Sequence, residues 1–264
     1  RKSAGIGDFG DLKTMIDFVA STGQKVLQLL PINDTTITHT WTDSYPYSCI
    51  SVFAIHPQYA DLHALPELKN AKARAEAEKT RAELNALDKI DYEKVNDFKI
   101  NYLRQIFNQE GEKMMKTAEY KAFFQDTELW LVPYAQYSYL RDKNGTADFN
   151  QWPDHQVWDE AERKALADPK TAAYKNVAFF YFVQFVLDRQ MQEAHEHAKT
   201  KGVILKGDIP IGVNRNGCDV WTEPKYFNLN GQAGAPPDDF SANGQNWGFP
   251  TYNWFEMLKD GCQW

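Results

Sequence analysis

The sequence is poor in cysteine, with three in 264 residues. Cys49, Cys218 and Cys262 lie far apart and form no Cys-x-x-Cys pair, so the spacing indicates neither a disulfide framework nor a zinc knuckle. The paired histidines His195 and His197 stand two positions apart on a predicted helix, where their rings point to different faces and cannot share a metal ion. Free thiols are typical of a reducing compartment, and we therefore expect a cytoplasmic protein.

The chain also lacks an excess of positive charge. Its 29 Lys and Arg residues are outnumbered by 36 Asp and Glu residues, which gives a formal net charge of −7 at pH 7. Nucleic-acid binding needs clustered basic side chains that neutralise phosphates, so the composition argues against a nucleic-acid partner. No apolar run approaches the roughly 20 residues that span a bilayer, so we expect no membrane-spanning helix.

The two ends of the sequence predict that it is a piece of a longer protein. No Met precedes Arg1, and no basic leader or small-residue cleavage site follows it. A helix predicted to begin at Phe255–Lys259 is followed by only five residues. We therefore expect additional chain to complete the fold.

Two short apolar runs, Val26–Leu30 and Val203–Lys206, alternate with predicted helices. The second run is typical of a buried strand, and it is followed by an acid, Asp208, where the strand ends. Strands separated by helices indicate a parallel sheet, whose carboxyl edge is where ligands bind. With only two clear strands, the predicted sheet is incomplete. Helices are predicted over residues 11–22, 67–86, 92–107, 120–140 with a break near Pro133, and 176–198.

Residues 5–10 fit the G-x-G-x-x-G pattern of a dinucleotide site. A predicted helix, a strand and an acid, Asp34, follow at the spacing of that motif. Two features count against a nicotinamide cofactor: no strand precedes Gly5 in this sequence, and the Asp8 carboxylate would repel a pyrophosphate in the loop. The alternative is a tight turn into a helix that Asp8 or Asp11 caps.

The segment from Gly202 to Trp254 combines aromatic rings with amides and carboxylates. Flat apolar faces beside hydrogen-bonding groups suit a sugar, which has apolar ring faces and a rim of hydroxyls. A second candidate ligand wall contains Tyr45 and Tyr47. The alternative for both segments is a surface loop held by aromatic anchors. The residues concerned in the first segment are Trp221, Tyr226, Phe240, Trp247, Tyr252 and Trp254, with Asp219, Asp238, Asp239, Asn243, Gln245 and Asn246.

Five segments stand out along the chain: GIGDFGDLKTMIDF, QLLPINDT, DSYPYSCISVFAIHP, GDIPIGV with DVWTEP, and PPDDFSANGQNWGFPTYNW. In this order they resemble the amylomaltases, also called 4-α-glucanotransferases or disproportionating enzymes. The resemblance covers nearly the whole chain, and the last two segments together are specific. The pattern is most similar to the subgroup of the plant cytosolic enzyme and bacterial relatives with N-terminal starch-binding modules.

The resemblance implies an α/β fold, a partial (β/α)8 TIM barrel with a large helical insertion. Residues 1–62 are then expected to form the first part of the barrel, and residues 63–175 the helical insertion. Residues 176–264 are expected to continue the barrel, to carry an active-site loop and to end before the nucleophile motif.

The chemistry that the resemblance implies is transfer of α-1,4-glucan segments between maltodextrins, which act as donor and acceptor, without cofactor or metal. A retaining reaction of this kind needs two carboxyl groups about 5–5.5 Å apart, one as nucleophile and the other as acid and then base. In the family the nucleophile stands in an Arg-x-Asp-His motif, which these 264 residues do not contain. The nucleophile and the acid/base are therefore expected after Trp264, and the isolated chain is expected to be inactive.

The resemblance assigns sugar contacts to five residues of this chain. Tyr47 is expected to lie against the sugar at the cleavage point, and Asp208 to accept charge-assisted hydrogen bonds from sugar hydroxyls near it. Asp238, Gln245 and Trp247 are expected to serve the acceptor side.

Two departures from the family and three alternatives remain. Asp239 stands where an aromatic residue is usual, and Asn96 where some members place a tyrosine. For Asp208 the alternative is a structural carboxylate bonded to backbone amides. For the whole chain the alternatives are an NAD(P)-binding oxidoreductase fragment and a non-catalytic carbohydrate-binding protein. Stand-alone sugar-binding modules are usually β-sandwiches, whereas the middle of this chain is predicted to be helical.

Overall fold

The computed structural model describes residues 2–264, and α-helix is its main secondary structure. Among these residues, no helix is long and apolar enough to cross a membrane. The helices are α1 (Phe9–Ser21), α2 (Ala71–Asn85), α3 (Tyr92–Ile106), α4 (Glu112–Met114), α5 (Ala118–Asn144), α6 (Glu160–Ala167), α7 (Tyr174–Thr200), α8 (Cys218–Thr222) and α9 (Trp254–Lys259). The strands are β1 (Val26–Gln28), β2 (Ile204–Lys206), β3 (Phe227–Asn228), β4 (Gly234–Ala235), β5 (Gln245–Asn246) and β6 (Thr251–Tyr252).

The two predicted strands pair in parallel, as expected. β1 lies beside β2 with Leu27 opposite Leu205, and these two leucines pack against the apolar cluster formed by α1 and α7. Because neighbouring side chains of a strand point to opposite faces, Val26 and Ile204 face the other way, where they are 51% and 64% exposed. The prediction of a buried strand at Val203–Lys206 is therefore wrong for one face, since the helices α1 and α7 cover only the other.

The glycine-rich start of the chain is a capped turn into α1. The Asp8 carboxylate accepts hydrogen bonds from the backbone N–H groups of Gly10 and Asp11 at 3.0 and 3.2 Å. The ammonium of Lys99, which is fully buried, lies 3.4 Å from the same carboxylate. The Asp8 carboxylate thus occupies the N-terminal end of α1, where a pyrophosphate would have to bind. This position of Asp8 is evidence against the dinucleotide alternative.

The long helices α5 and α7 form the centre of the molecule. All side chains from Val177 to Leu187 on α7 are buried, as the apolar run predicts. The predicted break near Pro133 is wrong, because α5 continues through it. A proline inside a helix costs about 3 kcal/mol, since it removes one backbone hydrogen bond. Here Pro133 is buried, whereas Leu129, whose carbonyl loses its partner, is 80% exposed on a face open to water.

The largest apolar cluster joins distant parts of the chain into one core. It includes Ile50, Tyr134, Phe182 and Trp221, all of them buried. The helices of the middle segment therefore pack directly on the segments that carry the candidate site.

Candidate functional site

The loop over residues 34–47 follows β1 and carries Tyr47. Its anchor is Asp43, which is only 6% exposed. The Asp43 carboxylate accepts hydrogen bonds from the backbone N–H groups of Ile37, Thr38 and His39 at 3.1, 3.0 and 2.8 Å. His39 adopts a left-handed φ of 58°, a conformation unusual for a residue with a side chain. The three successive amides bind one carboxylate through charge-assisted hydrogen bonds and so fix the conformation of the loop; we call this arrangement the Asp43 lock.

The same loop is tied to the middle of the chain. The Tyr92 hydroxyl on α3 donates to the Asp43 carbonyl at 2.9 Å. It also lies 2.7 Å from Nε2 of the buried His56, whose Nδ1 accepts from the backbone N–H of Gln58. With Nδ1 accepting, Nε2 carries the proton and donates to Tyr92. Burial lowers the pKa of His56, so the ring stays neutral in this network.

The loop that carries Asp208 is joined to the Tyr47 loop just beyond the two site residues. Asn214 donates its side-chain amide to the Ser48 hydroxyl at 3.0 Å, and its backbone N–H donates to the Cys49 carbonyl at 2.7 Å. Cys49 and Val213 also form an isolated parallel bridge. The two loops are therefore held together next to Tyr47 and Asp208.

Tyr47 and Asp208 contact each other. The Tyr47 hydroxyl donates to Oδ2 of Asp208 at 2.7 Å, across 161 positions of sequence. Both residues are half-buried. The hydrogen bond to Asp208 is the largest cause that raises the pKa of Tyr47, because the bonded proton is held by a carboxylate. This contact joins two of the residues expected to touch sugar.

The contact also bears on the alternative for Asp208. Its carboxylate accepts from a side-chain hydroxyl, and no backbone amide within residues 2–264 donates to it. A carboxylate can accept about four hydrogen bonds. The Asp208 carboxylate thus keeps acceptor capacity for further hydroxyl groups, as a sugar-binding role requires.

The three residues expected on the acceptor side lie on one exposed segment, residues 233–249. β4 pairs antiparallel with β5, and Ala235 stands opposite Gln245. The indole N–H of Trp247 donates to Oε1 of Gln245 at 3.1 Å. Asp238 lies in the connection between the strands, where its carboxylate accepts from the backbone N–H groups of Phe240 and Ser241 at 2.9 and 2.7 Å.

This segment is attached near the Asp208 loop through Phe249. The Trp247 and Phe249 rings are 5.9 Å apart, and Phe249 is packed so closely on Gly212 that a Cβ there would clash with its ring. Among the described residues, no hydrogen bond joins the Tyr47–Asp208 pair to the Gln245–Trp247 pair. The structure thus places the five expected residues in two separate groups, the Tyr47–Asp208 pair and the exposed segment that carries Asp238, Gln245 and Trp247.

Several aromatic candidates belong to the core and not to a ligand wall. Trp221 is 2% exposed, packs 5.7 Å from the Trp152 ring and donates its indole N–H to the His155 carbonyl. Tyr226 is also buried. The Asp219 carboxylate accepts from the backbone N–H of Val52, and burial raises its pKa to about 7. Composition alone could not separate these interior residues from exposed ones.

Sequence reasoning missed the role of Asp43, and the structure shows why Asp34 does not serve the dinucleotide alternative. Asp34, the acid at the spacing of the dinucleotide motif, is 2% exposed and accepts from the Tyr134 hydroxyl at 2.7 Å. The signal for Asp43 was the run of threonines before it, because short hydroxyl and carboxylate side chains favour turns closed by backbone hydrogen bonds.

Comparisons with known proteins agree with one another. The model of the family described as 4-alpha-glucanotransferase matches residues 1–264. The sequence is 42% identical over 260 residues to the 4-alpha-glucanotransferase DPE2 of Oryza sativa subsp. japonica, covering 98% of this chain and 27% of that protein. It is 31% identical over 265 residues to the 4-alpha-glucanotransferase of Chlamydia muridarum, covering 100% of this chain and 49% of that protein.

The fold agrees as well. The amylomaltase from Streptococcus agalactiae in complex with acarbose superposes with a TM-score of 0.79 at 24% identity, covering 99% of this chain and 52% of that one. The amylomaltase from Corynebacterium glutamicum superposes with a TM-score of 0.78 at 23% identity, covering 98% and 35%. At this identity the likeness shows the fold alone. The chain spans about a quarter to a half of the length of these curated relatives.

Proposed function

The chain belongs to the 4-alpha-glucanotransferase family, and we propose that it is part of an enzyme that transfers α-1,4-glucan segments between maltodextrins. The observation that carries the proposal is the hydrogen bond from Tyr47 to Asp208. An aromatic ring and a carboxylate, far apart in sequence, meet where parallel strands end, which is where α/β folds bind ligands.

The architecture we propose is part of a (β/α)8 barrel with β1 and β2 as two of its strands. Residues 1–62 and 176–264 contribute to the barrel, and residues 63–175 form a helical insertion. Three features support this arrangement: the parallel pairing, the helices α1 and α7 on one face, and the exposure of Val26 and Ile204 on the other. Inward-pointing residues of a barrel strand pack against the remaining strands.

Within such an enzyme, Tyr47 and Asp208 hold the sugar at the cleavage point. The Tyr47 ring offers an apolar face to the sugar, and the Asp208 carboxylate accepts hydrogen bonds from sugar hydroxyls. Asp238, Gln245 and Trp247 bind the acceptor glucan on the exposed segment. Held in place, the two glucans react as if in one molecule, which lowers the barrier to transfer.

The covalent steps belong to carboxyl groups outside these 264 residues. Retention needs a nucleophile and an acid/base about 5–5.5 Å apart, and the family's Arg-x-Asp-His motif is not in this sequence. We therefore propose that this chain supplies binding residues and that it is inactive alone. No step of this proposal requires a nicotinamide, a metal ion or a nucleotide.

Neither alternative finds support. The dinucleotide hypothesis fails at Asp8, which fills the end of α1 with its own carboxylate. A non-catalytic sugar-binding protein would explain the aromatic residues, but the whole chain matches a family of transferases.

The test is incubation of maltotriose with this chain and, in parallel, with the longer protein that contains it, followed by chromatography of the products. We expect glucose and longer maltodextrins from the longer protein alone. If two folded preparations both leave maltotriose unchanged, the proposed function is wrong. Turnover by this chain alone would contradict the placement of the catalytic carboxyl groups.

A further inference from the structure

A second tyrosine stands beside Tyr47 on the candidate site. The rings of Tyr45 and Tyr47 are 5.7 Å apart and tilted by 53°. Pro46 separates them, and the backbone N–H of Ser48 donates to the Tyr45 carbonyl at 3.3 Å, which closes a tight turn. The turn therefore sets the direction of both rings.

The Tyr45 ring is exposed although the backbone that carries it is fixed. It is 57% exposed, and its hydroxyl makes no hydrogen bond within residues 2–264. Asp43, two positions earlier, is locked by three backbone amides, and Ser48, three positions later, is bound to Asn214. A large ring carried by a fixed backbone beside a binding residue suits a ligand, because the backbone loses little conformational freedom on binding.

From this geometry we infer that Tyr45 is a further sugar-contacting residue, which binds the glucose unit next to the one that Tyr47 contacts. The inference rests on the proposed function and extends its binding site by one sugar. The ring supplies an apolar face of the kind that Tyr47 supplies, and the free hydroxyl can donate to or accept from a sugar hydroxyl.

The competing explanation is that Tyr45 merely packs on Pro46 as a surface residue. In that case, replacing Tyr45 would not change the binding of the glucan. The two explanations therefore differ in substrate binding and not in the stability of the fold.

The experiment compares Tyr45→Ser and Tyr45→Phe with the unchanged enzyme, in the longer protein and with a maltodextrin series as substrate. Phe18→Ser is the matched control, because Phe18 has a similarly exposed ring, 59%, on the outer helix α1. We expect Tyr45→Ser to raise KM about three- to tenfold with kcat nearly unchanged, the size of effect that a lost ring contact gives. Tyr45→Phe keeps the ring and should stay within about threefold.

The outcomes are distinguishable. The inference is overturned if Tyr45→Ser leaves KM unchanged, or if Tyr45→Phe loses as much as Tyr45→Ser, since the ring would then not be the binding group. A fall in kcat together with a lower Tm would also overturn it, because the residue would then support the fold. If the unchanged longer protein does not convert maltodextrins at all, the proposed function itself fails, and this inference fails with it.

Discussion

The loop of residues 34–47 and the segment of residues 233–249 each contain an aspartate that accepts hydrogen bonds from nearby backbone amides. The aspartate is buried in the first and exposed in the second. In the first, the buried Asp43 carboxylate accepts from three backbone amides. In the second, the exposed Asp238 carboxylate accepts from two. A hydrogen bond to a charged group contributes far more where water cannot replace it. The comparison teaches that burial, and not the hydrogen-bond pattern, decides whether a loop is locked.

The difference also matches the work we assign to each side. The wall beside the cleavage point has to hold its sugar in one position, because small displacements of a reacting group cost rate. The acceptor side has to admit and release successive glucans. Phe249 packs on Gly212 and holds one end of that segment near the Asp208 loop, whereas the short β4–β5 pairing joins only residues within the segment.

The largest effect is expected from neutralising the buried carboxylate. Asp43→Asn leaves the amides of Ile37, Thr38 and His39 without an anionic acceptor, and we expect the free energy of unfolding to fall by about 2–3 kcal/mol. Urea denaturation measures it. Asp238→Asn is the control, with an expected loss below about 0.5 kcal/mol, because Asn also forms such turns and water reaches the site. Equal losses at the two positions would contradict the comparison.

A smaller effect is expected from loosening the attachment of the exposed segment. In Gly212→Ala the new methyl group meets the Phe249 ring, and overpacking of this kind costs about 1–3 kcal/mol. We expect lower stability and faster proteolytic cleavage within residues 233–249, which limited proteolysis followed by mass spectrometry would detect.

The control for that variant is Gly207→Ala. A Cβ on Gly207 meets nothing within 4 Å, so this change should leave both stability and cleavage as they are. If the two glycine variants behave alike, Phe249 does not anchor the segment.

The smallest effect is expected from removing one hydroxyl. Tyr47→Phe deletes the donor to Asp208 but keeps the ring, and we expect a loss of about 0.5–1.5 kcal/mol in stability. Tyr45→Phe, whose hydroxyl has no partner among the described residues, should lose almost nothing. Differential scanning calorimetry on both variants would show whether the Tyr47–Asp208 bond contributes; identical curves would mean that it does not.

Local pattern predicted much of the fold. The spacing of apolar residues located the long helices, and the run from Val177 to Leu187 correctly indicated a helix buried on most sides. The prediction that Asp8 or Asp11 caps the first helix is confirmed for Asp8, whose carboxylate satisfies free amides at the start of α1. Both strands and their parallel pairing followed from apolar runs separated by helices.

The predictions that failed concern residues whose environment depends on contacts with distant parts of the chain, which a local sequence pattern does not contain. Pro133 sits inside α5 because packing of that helix outweighs the lost hydrogen bond. Trp221 looks like a ligand residue in sequence, yet Trp152, from a distant segment, buries it. The Asp43 lock depends on the left-handed backbone of His39 and on Tyr92, which lies 49 positions away.

The pairing of β1 with β2 also constrains the order in which parts of the chain fold during synthesis. The Gln28 side chain meets Lys206 across 178 positions of sequence, so within residues 2–264 the strand that pairs with β1 is made only after the helical middle. At the usual rates of synthesis this is a wait of about ten to thirty seconds. Closing so long a loop is slow for a free chain, but α5 and α7 can fold first and shorten the distance. On this view the helical middle is the template on which the sheet of the candidate site assembles.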